Sequence, residues 1–157
     1  MSDTVYMTKE KVRELEAELY QLKVKGRKEI AQKIADARSH GDLSENADYD
    51  AAKNEQGLLE LRISKLDIIL SKVQIIDASE FPDDKVYILS KVKMKNVKTG
   101  DIIEYTMVGA EEADFERNKL SVTSPIGRAL MGKSIGDIVQ AKVPAGLLEF
   151  EILDISK

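Results

Sequence analysis

The feature that most constrains the fold is a narrow apolar seam, repeated twice in the first half of the chain. Within each repeat, apolar side chains return at alternating intervals of three and four residues, the spacing of a helix that packs against one partner helix. The first seam slips in phase near Gly26. The seam positions are Val12, Leu15, Leu19, Leu22, Ile30, Ile34 and Ala37, followed by Tyr49, Ala52, Gln56, Leu59, Ile63, Leu66, Leu70 and Val73.

The two seams predict two long helices that form an antiparallel coiled-coil hairpin. The first helix is expected to run from Thr8, as its N-cap, to about Arg38, and the second from about Glu45 to Val73. Long helices with so short a connection pack side by side in opposite directions. At about 1.5 Å per residue, about 28 residues make a rod about 42 Å long. Residues 1–77 are therefore predicted to form a coiled-coil domain.

The second half has the pattern of a small antiparallel sheet with one helix. A break at Phe81-Pro82-Asp83-Asp84 precedes apolar runs of period two, and Lys98–Asp101 has the composition of a hairpin turn. Ser124 and Pro125 are typical of a helix start, and Gly132 of its end. The fold class is thus α+β, with a second domain over residues 78–157. The expected strands are Val86 to Leu89, Val92 to Val97, Ile102 to Val108, Leu120 to Val122, Ile138 to Val143 and Leu148 to Ile155.

Composition excludes several classes of function. The chain has no cysteine and one histidine, which excludes disulfides, thiolate zinc sites and a cysteine nucleophile, and leaves little room for a Ser-His-Asp triad. A net charge of −4 argues against a protein that coats nucleic acid by itself. No apolar run approaches the roughly 20 residues of a membrane span. The N-terminus lacks the apolar core of a signal peptide, so we expect a cytoplasmic protein.

The connection between the two predicted helices concentrates acidic residues. Between Ser39 and Ala52 there is no lysine or arginine, and the formal charge of −4 equals that of the whole chain. Bases lie immediately outside this window, at Arg38 and Lys53, and further back on the first helix at Arg27, Lys28 and Lys33. The four acids are Asp42, Glu45, Asp48 and Asp50.

Two compatible explanations account for the acids at the tip. If Gly41 ends the first helix, Asp42 and Glu45 have the spacing of a capping box, with Asp42 as the N-cap. Alternatively, these two carboxylates each offer an oxygen to a hard cation such as Mg²⁺. Two donors are too few for a stable site, so the finger would complete a site that another macromolecule mostly supplies. A second metal about 3.5–4 Å from a first would then serve phosphodiester hydrolysis.

The tip sequence also resembles the signature of the bacterial Gre transcript-cleavage factors. The resembling residues are Ala37-Arg38-Ser39-His40-Gly41-Asp42-Leu43-Ser44-Glu45-Asn46-Ala47-Asp48-Tyr49. The resemblance covers essentially the whole chain: Asp77 matches the domain junction, Glu112–Phe115 a characteristic loop, and Ser121–Ile126 the C-terminal loop. Within the family, the overall acidity and the few bases near the tip favour the less basic branch over the more basic one.

The resemblance implies a function and a set of site residues. In the family, the coiled coil enters the secondary channel of RNA polymerase, and the C-terminal domain has an FKBP-like fold. Asp42 and Glu45 match the acids that help to hold the second Mg²⁺ of the polymerase active centre and to orient water for cleavage of backtracked RNA. Arg38 and Lys53 match bases that can meet RNA phosphate. Thr123-Ser124-Pro125 match the loop that docks on the polymerase rim.

The implied protein is a transcription elongation factor rather than an enzyme acting alone. Its partners would be RNA polymerase and the 3′ end of the nascent RNA, and it would work as a monomer. No cofactor is expected to bind stably to the chain alone, because the Mg²⁺ belongs to the polymerase. Asp50 is a local feature whose effect on metal attraction or RNA repulsion the sequence leaves open.

Two other functions are weaker alternatives. A regulator of the same shape would occupy the channel and inhibit cleavage, but the acid pair and the adjoining bases argue against it. A chaperone or proline isomerase is disfavoured because the second half has few aromatic residues to line a substrate pocket, and a fold does not by itself imply an activity.

Several tempting motifs are better explained as structure. Residues 127–134 satisfy the Walker A pattern letter for letter, but the predicted short helix lies inside the pattern and no alternating strand–helix units precede it. His40 is expected to end the first helix in solvent, and Tyr49 to pack in the seam. The alternating lysines Lys91, Lys93 and Lys95 predict the solvated face of a strand.

Overall fold

A computed structural model of the chain describes residues 4–39 and 46–157. These residues form two compact units. One unit is Glu10–Val73, and the other joins the N-terminal segment up to Lys9 with Gln74–Lys157. Within the described residues, no helix is long and apolar enough to span a bilayer.

The first unit is the predicted helical hairpin. Its first arm consists of α1 (Lys9–Gln21), a π-helical segment (Leu22–Gly26) and α2 (Arg27–Arg38), and its second arm is α3 (Ala47–Lys72). The predicted antiparallel pair is confirmed, and α2 packs against α3. The second helix begins at Ala47, two residues later than expected, because the residue before it has extended backbone angles.

The π-helical segment explains the slip in the first seam. Leu22 and Ile30 are eight residues apart, one more than a regular alternation of three and four allows. The backbone N–H of Arg27 bonds to the carbonyl of Leu22, five residues back, which absorbs the extra residue within one turn. A Cβ atom on Gly26 would lie 3.1 Å from Leu59 Cδ1, so glycine lets α3 approach closely at this level.

The seams form the core of the hairpin. Leu66 is fully buried, and the other seam positions are buried or half-buried. Burial of this apolar stripe stabilises the helix pair by about 25 cal/mol per Å² removed from water. The buried seam residues are Val12, Leu15, Ile30, Ala37, Ala52, Ile63 and Leu66.

The second unit contains a five-stranded sheet and one α-helix, α4 (Pro125–Leu130). Its strands are β3 (Lys91–Asn96), β4 (Ile102–Val108), β5 (Lys119–Ser121), β6 (Ile138–Val143) and β7 (Gly146–Ser156). Their spatial order is β5-β4-β3-β7-β6, and the pairs are antiparallel except β4–β5, which is parallel. The sheet is therefore mixed at one edge, where the sequence predicted a wholly antiparallel one.

One face of this sheet forms the larger core of the second unit. Along β3, the fully buried Val92 and Met94 alternate with the exposed Lys91, Lys93 and Lys95, which confirms the predicted solvated lysine face. Leu130 of α4, Met107 of β4 and Ile152 of β7 belong to the same buried cluster. The predicted turn at Lys98–Asp101 joins β3 to β4, and Gly100 there has a φ of 79°.

The strand predicted at Val86 to Leu89 is wrong. Val86 and Leu89 are buried, which produced the apolar signal, but their backbone groups bond to scattered partners rather than to a ladder. The N–H of Val86 bonds to the carbonyl of Lys133, and that of Leu89 to the carbonyl of Met107. Leu89 has a φ of 72°, which a regular strand does not contain.

The compact units divide the chain differently from the predicted domains, residues 1–77 and 78–157. Strand β1 (Val5–Met7) pairs with β2 (Val73–Ile75) in a separate two-stranded sheet. Met7 is fully buried, and its carbonyl accepts a hydrogen bond of 2.8 Å from Ile76. The segment that precedes α1 thus belongs to the second unit, because strand pairing joins positions distant in sequence.

Candidate functional site

The hairpin tip lies between the end of α2 and the start of α3. Arg38 is the last residue of α2, and Lys53 lies on the second turn of α3. Asp48 and Asp50 lie exposed on the first turn of α3, where negative charge interacts favourably with the helix dipole. Four residues singled out from the sequence fall outside the described residues: His40, Gly41, Asp42 and Glu45.

Asn46 is the N-cap of α3. Its φ of −91° and ψ of 97° are extended, and its Oδ1 accepts a hydrogen bond of 3.1 Å from the backbone N–H of Tyr49. The N-cap of α3 is therefore Asn46 rather than Asp42, and the capping box predicted for Asp42 and Glu45 lies outside the described residues. The sequence did contain the signal, because asparagine is among the strongest N-cap residues.

Asn46 also contacts the other arm of the hairpin. Its Nδ2 donates a hydrogen bond to the carbonyl of Ala37, in the last turn of α2. Carbonyls at a helix end lack a partner within the helix, so this bond satisfies one of them. A single side chain therefore joins the end of α2 to the beginning of α3.

Arg38 and Tyr49 form a second contact between the arms. The guanidinium carbon of Arg38 lies 5.8 Å from the centroid of the Tyr49 ring, within the range of a cation–π interaction. Tyr49 is half-buried, as expected for a seam residue, whereas Arg38 is exposed. The Arg38 side chain is thus held at the tip while its charge remains open to solvent.

Among the described residues, four ion pairs join the two arms behind the tip. Hydrogen bonds from the Arg27 and Arg62 guanidinium groups hold the pKa values of Glu60 and Glu18, respectively, below their ordinary value. The four pairs between the arms are Glu18 with Arg62 at 2.7 Å, Lys23 with Asp67 at 3.3 Å, Arg27 with Glu60 at 2.9 Å, and Lys33 with Glu55 at 3.0 Å.

The bases nearest the tip are arranged differently. Over the described residues, neither Arg38 nor Lys53 has a carboxylate partner. The Nζ of Lys53 donates to the side-chain oxygen of Gln56 at 2.8 Å, which is a neutral partner. These two cations are therefore suited to meet an anion from another molecule.

A groove of about 270 Å³ lies between the arms next to the tip. The groove is lined by small apolar residues and by three acids, Asp36, Asp48 and Glu55. Lys33 forms an ion pair with Glu55 at 3.0 Å. Across the part of the chain that the structure describes, no three histidine, aspartate or glutamate side chains gather so as to hold a metal ion. The lining residues are Lys33, Asp36, Ala37, Asp48, Ala51, Ala52 and Glu55.

Hydrogen bonds of Ser124 give the loop predicted to dock on a partner a structural role as well. Ser124 is half-buried: its Oγ accepts a hydrogen bond from the N–H of Gly127 at 3.1 Å and donates to the carbonyl of Ser121 at 2.7 Å. Ser124 is thus the N-cap of α4, as predicted, with Pro125 at the first helical position. Thr123 and Pro125 are exposed, so they are the two members of the predicted set available to a partner.

The Walker A pattern has a structural explanation. In a true phosphate loop, a helix follows the glycine-rich turn. Here helix α4 begins before Gly127, the first glycine of the pattern, and ends at Leu130, inside the pattern. A Cβ on Gly127 would overlap the carbonyl of Ser121, which explains the glycine by close backbone approach. Leu130 within the pattern is fully buried in the core.

A buried carboxylate was missed by the sequence analysis. Glu112 is only 2% exposed, and its two oxygens accept hydrogen bonds from the N–H and the hydroxyl of Thr8, at 3.0 and 2.7 Å. Lys119 Nζ lies 3.5 Å from the same carboxylate. Thr8 directly precedes α1, so Glu112 binds the residue from which that helix starts. Its sequence position in a charged loop gave no sign of burial.

Comparisons with known proteins agree with this architecture. The family model described as "Transcription elongation factor, N-terminal" matches residues 5–75. The model described as "Transcription elongation factor, GreA/GreB, C-term" matches residues 81–157. The chain belongs to the GreA/GreB family of transcription elongation factors. The resemblance seen at the tip is thereby confirmed, as is the predicted class of function.

Curated GreA proteins match over the full length. The chain is 53% identical over 156 residues to transcription elongation factor GreA of Chlorobaculum parvum, with 99% of this chain and 98% of that protein covered. It is 50% identical over 157 residues to transcription elongation factor GreA of Flavobacterium johnsoniae, covering 100% and 99%. The charge of the chain favoured the less basic branch of the GreA/GreB family, and the similarity to these GreA proteins agrees with that prediction.

Solved structures of related proteins are more distant. The GreA factor homolog 1 (Gfh1) of Thermus thermophilus is 26% identical with a TM-score of 0.45, covering 98% of this chain and 99% of that chain. A GreA/GreB factor from Nitrosomonas europaea is 24% identical with a TM-score of 0.43, covering 67% and 93%.

Proposed function

We propose that this member of the GreA/GreB family binds RNA polymerase and stimulates endonucleolytic cleavage of backtracked nascent RNA. The observation that supports this proposal best is the match of both family models to a chain whose acid pair, Asp42 and Glu45, falls in the sequence between the two arms of a helical hairpin. Cleavage would release the 3′ fragment and return an arrested complex to synthesis in the cytoplasm.

The hairpin is suited to carry its tip into a narrow channel. Its arms are joined by a buried apolar seam and by four ion pairs spread along their length. Exposed ion pairs individually add only about 0.2–1 kcal/mol, but they fix the register of the two helices. A two-helix rod of this kind has a small cross-section, since one helix with its side chains is about 10–12 Å wide.

Asp42 and Glu45 would supply oxygen ligands to a metal ion of the polymerase. Mg²⁺ prefers six oxygen ligands and dehydrates reluctantly, so two carboxylates complete a site rather than build one. When bound, the ion supplies Lewis-acid activation of water for phosphodiester hydrolysis. The chain itself is therefore proposed not to be an enzyme, and no cofactor is proposed to bind stably to it alone.

Arg38 and Lys53 would contact the phosphates of the RNA 3′ segment. Both are exposed cations near the tip without a carboxylate partner among the described residues. The contact of Arg38 with the Tyr49 ring keeps that charge at the tip, and the Lys53 ammonium bonds to Gln56, a neutral partner one turn further along α3. Phosphate contacts of this kind position nucleic acid without reading its sequence.

The loop Thr123-Ser124-Pro125 would dock on the polymerase outside the channel. Thr123 and Pro125 offer exposed contact atoms, and the Ser124 cap keeps the loop rigid, which reduces the entropy lost on binding. A finger that enters a channel is proposed to work as a monomer.

The decisive test is RNA cleavage by a stalled, backtracked polymerase. The Asp42→Asn/Glu45→Gln variant removes two charges with little change in shape, and we expect cleavage stimulation to fall by about 100-fold while polymerase binding persists. The matched control is Asp83→Asn/Asp84→Asn, which removes the same charge from exposed positions in the other unit. Normal cleavage by the tip variant, or an equal loss in the control, would contradict the proposed roles.

The alternative is a regulator that binds the channel and blocks cleavage. The same experiment separates the two functions by the sign of the effect, because an inhibitor would lower the intrinsic cleavage rate of the polymerase. The tip acids Asp42 and Glu45, with the adjoining bases Arg38 and Lys53, favour stimulation.

A further inference from the structure

Asn46 occupies a special place in the described part of the tip. It lies at the start of α3, and its amide is bonded both to its own helix and to the opposite arm. Residues 40–45, which include the predicted acids Asp42 and Glu45, run between these two arms, and Glu45 is covalently joined to Asn46. A contact that fixes the end of α2 relative to the start of α3 therefore restricts the positions open to Asp42 and Glu45.

The chemistry of the amide matches both contacts. The oxygen accepts from the N–H of Tyr49, the third residue of α3, which is the standard geometry of an N-cap. The nitrogen donates to the carbonyl of Ala37, a buried residue in the last turn of α2. Among good N-cap side chains, only asparagine has separate acceptor and donor atoms, since a carboxylate has no donor and a hydroxyl has one atom for both.

We propose that Asn46 is a positioning residue for the tip acids, acting as a clasp between the ends of the arms. It does not touch metal or RNA; it fixes the separation and orientation of the two helix ends from which the acid-bearing segment extends. The Arg38–Tyr49 contact ties the same two ends a second time, so the clasp is reinforced on another side. Catalytic groups are effective only when they are held close to the productive geometry, and a misplacement of about 1 Å can cost about 100-fold in rate.

This inference rests on the proposed function, and one substitution tests it. Asn46→Ser retains a good N-cap for α3 but loses the reach and the amide donor to Ala37. The matched control is Asn54→Ser, the same change at an exposed position two turns along the same helix. Circular dichroism of both full-length variants should show unchanged helix content.

The cleavage assay then separates positioning from binding. For Asn46→Ser we expect the maximal cleavage rate at saturating factor to fall by about tenfold or more, with the half-saturating concentration within about twofold of the unsubstituted protein. We also expect a higher Mg²⁺ concentration for half-maximal cleavage, because misplaced carboxylates contribute less to the metal site. Asn54→Ser should change none of these quantities. An unchanged maximal rate, or a loss explained by weaker polymerase binding or lost helix, would overturn the proposal.

A second measurement does not depend on the polymerase. The chain has no cysteine, so Ala35→Cys and Ala51→Cys give two unique spin-label sites on exposed positions of α2 and α3. We expect a narrow distance distribution in the otherwise unsubstituted protein and a broader one when Asn46→Ser is added. An unchanged distribution would overturn the clasp. If the unsubstituted protein fails to stimulate cleavage, the proposed function fails, and the distance measurement still decides whether Asn46 holds the arms together.

Discussion

At the scale of single residues, Glu112 shows how a charged group can serve the fold rather than the functional site. A carboxylate that is 2% exposed would be strongly destabilising if it lacked partners. Here Thr8 donates twice to it and the Lys119 ammonium lies 3.5 Å away, so the charge is compensated. Thr8 is thereby bonded to a loop of the same unit more than one hundred positions later in the sequence.

Substitution of Glu112 by glutamine should therefore destabilise the protein. In Glu112→Gln, one carboxylate oxygen becomes an NH₂ donor that faces the donors of Thr8, and we expect the free energy of unfolding to fall by about 2 kcal/mol. Urea unfolding of the full-length protein measures this loss. The neighbouring Glu111 is exposed, so Glu111→Gln is the matched control and should lie within about 0.5 kcal/mol of the unsubstituted protein. Equal stability of the two variants would contradict the role given to Glu112.

At the scale of elements, the hairpin combines one apolar seam with ion pairs on its sides. The π-helical segment Leu22–Gly26 lets the first arm keep its seam on the same side despite one extra residue. The ion pairs then lock the register, since each joins a base of one arm to an acid of the other. The pair Glu18–Arg62 is doubly hydrogen-bonded, at 2.7 and 2.9 Å.

The Glu18–Arg62 pair should make the stability of the hairpin depend on pH. The hydrogen bond from Arg62 lowers the pKa of Glu18 below its ordinary value of 4.5. The pair therefore stabilises the folded state above about pH 4.5, and this contribution is lost as the pH falls through the lowered pKa. We expect Arg62→Gln to cost about 0.5 kcal/mol at neutral pH, because the pair is partly exposed to solvent.

Thermal unfolding over a range of pH measures this effect. The difference between Arg62→Gln and the unsubstituted protein should shrink towards zero in acid, once Glu18 is protonated in both. Lys65→Gln is the charge-matched control on the same helix, at an exposed position without an ion pair to a described residue, and its effect should be smaller at neutral pH. A difference for Arg62→Gln that stays constant with pH would rule out the pair as its cause.

At the scale of the whole molecule, the proposed function assigns different tasks to the two units. The tip of the hairpin would act on the reaction, and the loop before α4 would hold the polymerase. Substitutions at the tip should therefore lower the maximal cleavage rate, whereas substitutions in the loop before α4 should raise the half-saturating concentration. The reason is that interactions made only in the transition state and interactions made throughout binding contribute separately to the rate.

A charged substitution in the docking loop should weaken binding without altering chemistry. Pro125→Glu places a charge on the exposed loop while glutamate remains well suited to the first turn of a helix. We expect the half-saturating concentration for cleavage to rise by about tenfold, with the maximal rate retained at high factor concentration. Ile102→Glu, at an exposed apolar residue of β4, is the control and should bind normally. A fall in the maximal rate for Pro125→Glu would contradict the division of tasks.

Much of the architecture follows from local patterns in the sequence. The seam spacing predicted both arms, and a residue inserted into that spacing marked the place of the π-helical segment. Ser124, Pro125 and Gly132 located α4 because capping depends on neighbours in the chain. The prediction of a strand at Val86 to Leu89 was wrong because the apolar side chains there are buried without strand pairing.

By itself, the sequence determined the helical hairpin, the α+β class of the second half, and the acid-rich connection with its family signature, since all of these are written in spacing and residue type. Only the tertiary structure decided that Asn46 rather than Asp42 caps α3, that Asn46 reaches across to Ala37, and that Glu112 is buried against Thr8. The physical reason is that a hydrogen bond between distant segments depends on where the backbone brings two side chains. Periodicity and capping rules describe a segment and its immediate neighbours, so they are silent about such contacts.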